Sequence, residues 1–188
     1  VVTPERMPAP PTRPGRRRGW GLMAQLYSVR SRASWGMGDF ADLGDLAAIA
    51  GARGADFLLV NPIHAAEVTS PIEPSPYLPA TRRFLAPLYV RPEDIRETAY
   101  LTPTERALVD AARTPVAATD EDAGRIDRDA VWAAKRAALD AVFAVPLSTG
   151  RRAELDAFVA REGAPLQDFA LWCALEEHYD GVERPADA

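Results

Sequence analysis

The sequence predicts an α/β chain: two parallel strands joined by a helix, then a long ordered loop and a run of helices. Three observations carry this. Two short apolar runs, Gly21 to Val29 and Phe57 to Val60, flank an amphipathic helical pattern, a strand–helix–strand unit that implies parallel pairing. The stretch 63–100 has no helical periodicity and is punctuated by prolines from Pro62 to Pro92. Beyond it, helical signals recur with no further strand.

Taken in order, residues 1–19 hold Pro4, Pro8, Pro10, Pro11, Pro14 and the run Arg16-Arg17-Arg18, and read as an interdomain linker. From Trp20 the run 21–29 reads as a buried strand, and 30–38, with Gly36 and Gly38, as a loop. Asp39 is placed to cap a helix, with Asp42 three residues on in a capping-box-like arrangement. Phe40, Leu43, Leu46, Ala47 and Ala50 then recur at helical spacing, and Gly54 suits the stop. Phe57-Leu58-Leu59-Val60 is a second buried strand, closed by Asn61-Pro62. A connection as long as 63–100 is usually functional or disordered; Tyr77, Phe84, Leu85, Leu88 and Tyr89 argue for an ordered one. Thr102, Pro103 and Glu105 mark a helix start, and 113–126 reads as an exposed loop. Asp127 or Asp129 then caps a helix with Val131, Ala134, Ala138 and Val142 on one face. Residues 151–161 and 165–179 form two more helices, divided by Gly163-Ala164-Pro165.

Composition narrows the class. At 188 residues the chain has room for about one domain of roughly 150 residues. Its 47% hydrophobic and 26% charged residues suit a soluble globular domain. No stretch approaches the ~18 apolar residues that span a bilayer, and nothing near Val1 reads as a signal peptide, so a cytoplasmic location is expected, away from membranes. The single cysteine, Cys173, excludes an intramolecular disulfide. A net charge of −5 speaks against a general nucleic-acid surface. Basic charge is almost all arginine, with Lys135 the lone lysine, a bias that suggests a GC-rich bacterial genome. A start at valine and an end at 183–188 just after a helical pattern suggest a fragment.

Most candidate chemistry reduces to structure. No glycine-rich phosphate loop follows a strand, and His64 and His178 lack the spacing partners of a zinc site. Cys173, beside Trp172 in an amphipathic pattern, reads as a packed thiol. Arg125-Ile126-Asp127 pairs an arginine with a carboxylate, as a retaining glycosidase would, but no strand precedes it and helix capping explains it. The loop after the second strand differs. It contains Asn61-Pro62-Ile63-His64-Ala65 and Pro74-Ser75-Pro76-Tyr77, a hydroxyl and an amphipathic ring suited to a sugar's C–H face. These residues form either a carbohydrate site or the anchors of a long loop.

The blocks GWGLMAQLYSVRS, then WGMGDFADL, then NPIHA, then SPYLPATRRFLAPLYV stand in order between Trp20 and about Leu101. By them this segment resembles the amylomaltases, the bacterial 4-α-glucanotransferases, the last block being similar to the family's SPY…SRRFLNPLY signature. DRDAVWAAKRAAL and QDFALWCALEEH resemble family helices less specifically. Thr81 stands where a serine is usual and Ala86 where an asparagine is usual, the second losing an amide. The resemblance implies a partial (β/α)₈ barrel, residues 20–188, carrying its first two strands and an insertion subdomain from about residue 63. It implies transfer of α-1,4-glucan segments to a sugar 4-hydroxyl by a retaining double displacement, without metal or organic cofactor. Ser75 and Tyr77 would line the glucan site, with Asn61 and His64 as further substrate-binding residues. Gly36, Gly38 and Asp39 would be structural, and the catalytic carboxylates would fall beyond residue 188. Rival expectations are an α-amylase-type hydrolase, separated by competition between maltotriose and water as acceptor, and a complete non-catalytic glucan-binding module. An arginine tail that binds nucleic acid would instead show salt-sensitive retention on DNA.

Overall fold

The computed structural model describes residues 18–67, 69–121 and 124–179. The proline-rich opening up to residue 17 and the tail at 183–188 therefore lie outside the described residues. Strand β1 (Gly21–Ala24) leads through a loop to α1 (Phe40–Ala52) and back to β2 (Phe57–Val60). The two strands pair in parallel, Gly21 opposite Phe57 and Ala24 opposite Val60. Helices α2 (Pro103–Ala117), α3 (Arg128–Phe143), α4 (Thr149–Glu162) and α5 (Ala164–His178) follow, after three short 3₁₀ turns between Pro87 and Tyr100.

Local chemistry sets the boundaries. The first strand stops at Ala24 rather than at Val29, because Leu26 turns into a 3₁₀ turn and its N–H goes to the Asn61 side chain instead of a neighbouring strand. Asp39 and Asp42 form a reciprocal capping box at α1, and Thr102 and Glu105 form one at α2 with Pro103 in the first turn. Gly54 follows α1 with φ of +89°, a conformation that favours glycine. The expected loop 113–126 begins later than the sequence suggests: α2 continues through Pro115 to Ala117. Val116 is buried in the core and Arg113 donates to the carbonyls of Arg32 and Ser34, so packing holds a turn that the proline weakens. Of the two candidate caps for α3, Asp127 accepts from Ala130 N–H, while Asp129 accepts from Ile72 N–H.

The core does not sit on the sheet. Leu26, Trp35 and Met37 from the loop after β1 pack with Leu88 and Tyr89, with Val109 and Val116 of α2, and with Val131, Ala134, Ala138 and Val142 of α3. The expectation that both strands are buried is corrected here: Met23 is 77% exposed, Phe57 52% and Leu59 56%. The physical reason is that these three side chains share one face of a two-stranded sheet, and no layer covers that face among the described residues. Helices α4 and α5 likewise bury no residue fully. No helix among the described residues is long and apolar enough to cross a membrane.

Candidate functional site

The end of β2 organises the site. Asn61 is buried and fully used: its Oδ1 accepts from Leu26 N–H at 2.6 Å, and its Nδ2 donates to Pro62 O at 2.7 Å and to the Tyr89 hydroxyl at 3.1 Å. It thus ties the end of β2 to the turn after β1 and to the PLY turn. Burial pushes the Tyr89 hydroxyl above its ordinary pKa, partly opposed by the bond from Asn61. The next residues pair with the far end of the long loop: Ala65 N–H donates to Phe84 O, Ala86 N–H to Ile63 O, and His64 bridges Leu85 in antiparallel fashion. A short ladder that local periodicity does not reveal therefore joins residues 63–65 to 84–86.

Beneath it lies a charged knot. Arg91 forks onto Asp39, with two N–H donors at 2.8 Å, and reaches Asp42 at 3.0 Å. Asp42 also accepts from the hydroxyls of Ser31 and Ser34, each at 2.7 Å. Burial works to raise the Asp42 pKa, but those hydroxyls, the Asp39 N–H and Arg91 outweigh it and hold the carboxyl below its ordinary range. Gly38 is required here because a Cβ would collide with the carbonyl oxygens of Leu26 and Val29. Gly36 N–H donates to Asp120 at 2.7 Å. Lys135 is fully buried, with Nζ donating to Leu88 O at 2.6 Å, and burial pushes its pKa down to about 8.

Two adjoining cavities open where the long loop crosses the N-terminal end of α3. One, of about 50 Å³, is lined by His64, Ser75, Glu73, Tyr27 and Arg128 among others. The second, of about 420 Å³, is lined by Arg125, Ile126, Asp127 and Asp129. They share Ile72, Pro74 and Arg128. The larger volume, which Arg128 lines, falls within the ~300–1,000 Å³ common for small-ligand clefts, whereas the smaller one, which His64 and Ser75 line, lies well below it. The structure therefore brings His64 and Ser75 to one cleft, places Asn61 behind it, and leaves the Tyr77 ring outside, 58% exposed. Ser75 Oγ accepts from Tyr77 N–H at 3.4 Å, a long contact. Sequence reasoning missed Tyr27 and Arg128, which meet only through the fold. Thr81 uses its hydroxyl to accept from Arg83 N–H, and Ala86 is buried against the cleft. A larger hollow of about 900 Å³ between the end of α3 and α4 is mainly apolar and contains none of the candidate residues.

The buried carboxylates near the cleft are committed to caps and to Arg91, and Asp127 is the α3 cap. Among the described residues, no three of His, Cys, Asp or Glu come together to hold a metal. Cys173 is half-buried, and burial raises its thiol pKa, the opposite of what a thiolate nucleophile needs.

What remains is an α/β chain with a small, mainly apolar cleft at the C-terminal end of β2, into which Ser75, His64, Tyr27 and Arg128 bring polar groups. The family model described as 4-alpha-glucanotransferase matches residues 24–186, and the chain belongs to that family. The 4-alpha-glucanotransferases of Mycobacterium tuberculosis and Mycobacterium bovis are each 52% identical over 186 residues, taking in 95% of this chain and 25% of theirs. That of Haemophilus influenzae is 42% identical over 78 residues, 42% of this chain and 11% of the relative. The crystal structure of amylomaltase from Corynebacterium glutamicum matches with a TM-score of 0.83 and 46% identity, over 90% of this chain and 24% of that one. The chain spans about a quarter of the length of these curated mycobacterial relatives.

Proposed function

We propose that this chain supplies the N-terminal part of a 4-α-glucanotransferase: residues 20–188 as the start of a (β/α)₈ barrel with its first two strands, an insertion from about residue 63, and residues 1–19 as a linker. The observation that carries this reading is the cleft of His64 and Ser75 on the loop that leaves the C-terminal end of β2, where (β/α)₈ enzymes build their sites. The open faces of β1 and β2 suit strands that gain partners from the part of the relatives this chain does not span.

In this role Ser75, His64 and Tyr77 contact an α-1,4-glucan, the ring of Tyr77 against a sugar face, and Asn61 holds their loop from behind. The carboxylates that do the chemistry lie outside these residues. One attacks the anomeric carbon while the other protonates the leaving 4-oxygen. An acceptor's 4-hydroxyl, deprotonated by that second group, then displaces the enzyme carboxylate with net retention.

The test is maltotriose given to the protein at its relatives' full length. Glucose and longer maltodextrins should form while total reducing ends stay constant. A steady rise in reducing ends would indicate hydrolysis, and no product would refute both.

A further inference from the structure

The cleft has a second wall that the motif residues do not account for. Arg128, in the first turn of α3, is half-buried, and its guanidinium carbon lies 5.1 Å from the centroid of the Tyr27 ring. Among the described residues its guanidinium has no hydrogen bond or ion pair, although two carboxylates flank it in sequence. Both are engaged elsewhere: Asp127 accepts from Ala130 N–H and Asp129 from Ile72 N–H. A guanidinium carries five N–H donors in a planar fork, and the cation–π contact with the Tyr27 ring braces this one at the cleft. Arg128 lines both cavities, so those donors meet the same space as His64 and Ser75.

We propose that Arg128, braced by Tyr27, is a substrate-positioning residue of this cleft that donates hydrogen bonds to the hydroxyls of a bound α-glucan. The inference rests on the function proposed above and adds a residue to its site. A neutral polyol fits better than an anion. Glu73 lines the same cleft and would repel a phosphate or carboxylate, whereas adjacent sugar hydroxyls offer paired acceptors to the fork. Ile72 and Pro74 supply the apolar surface that a sugar's C–H face covers.

The experiment uses the protein at its relatives' full length and compares Arg128→Ala, Arg128→Lys and the parent. Maltotriose disproportionation kinetics, maltotriose binding by calorimetry and the melting temperature are measured on the same preparations. Loss of a charged hydrogen bond to substrate should lower kcat/KM roughly tenfold to hundredfold in Arg128→Ala, chiefly through KM. Binding should weaken by a similar factor while the melting temperature stays at the parent's. Arg128→Lys, which keeps the charge but not the fork, should fall between. Parent-like kinetics in Arg128→Ala would overturn the assignment while leaving the function standing. So would a loss that tracks a lowered melting temperature with Arg128→Lys normal in both. A parent without transfer activity would overturn both.

Discussion

Tyr77 and Lys135 show how differently two side chains of one loop-and-helix region are used. Tyr77 is mostly exposed between restraining prolines, so its ring is available and little of the fold depends on it. Tyr77→Ala in the protein at its relatives' length should lower kcat/KM roughly tenfold to hundredfold, as for removal of an aromatic contact worth about 1–3 kcal/mol, without moving the melting temperature. Tyr77→Phe should keep most of the activity if stacking is the use. Lys135 is the reverse case, buried and holding Leu88 O. Its pKa falls from 10.5 to about 8 on folding, so between those values the unfolded chain binds more protons and stability rises with pH. Below about 8 both states are protonated and the burial cost is fully present, on the order of 3 kcal/mol. Denaturant melts at pH 7 and pH 10 should show this rise in the parent, and Lys135→Met should abolish it. A parent-like rise in the variant would refute the attribution.

At the scale of elements, capping boxes and ion pairs do what the short strands cannot. Arg91→Met would leave Asp39 and Asp42 buried without their shared cation, and loss of one partner of such a group costs about 3–5 kcal/mol. Thermal melts of the variant should show that loss. Asp42 adds a pH dependence: its folded pKa is lowered, so its stabilisation is complete above 3.8 and is lost as pH falls through the lower folded value. Both capping boxes, β2, the parallel pairing and the buried face of α3 were legible in the sequence, because caps and periodicity are local chemistry. Three features were not. The early end of β1 depends on Asn61, 35 residues away. The persistence of α2 past Pro115 depends on tertiary packing of Val116. The Tyr27–Arg128 contact joins residues 101 positions apart, which no local pattern registers. The resemblance brought forward Ser75 and His64, and the fold places them in one cleft, whereas residue type alone could not separate them from loop anchors.

For the whole molecule, the cleft adjoins the core through Met37, Leu88 and Tyr89, while the sheet presents Met23, Phe57 and Leu59 to solvent. Under the proposed barrel reading, such a surface packs against strands supplied by the three quarters of the relatives that this chain does not span. In the proposed function these residues hold glucan while the reacting carboxylates come from elsewhere. Incubating the purified 188-residue chain with maltotriose and following products over time puts that division of labour to the test. Maltotriose should persist, with neither glucose nor longer maltodextrins formed. Time-dependent glucose and longer maltodextrins from this chain alone would place the catalytic carboxylates among its own residues and refute the division.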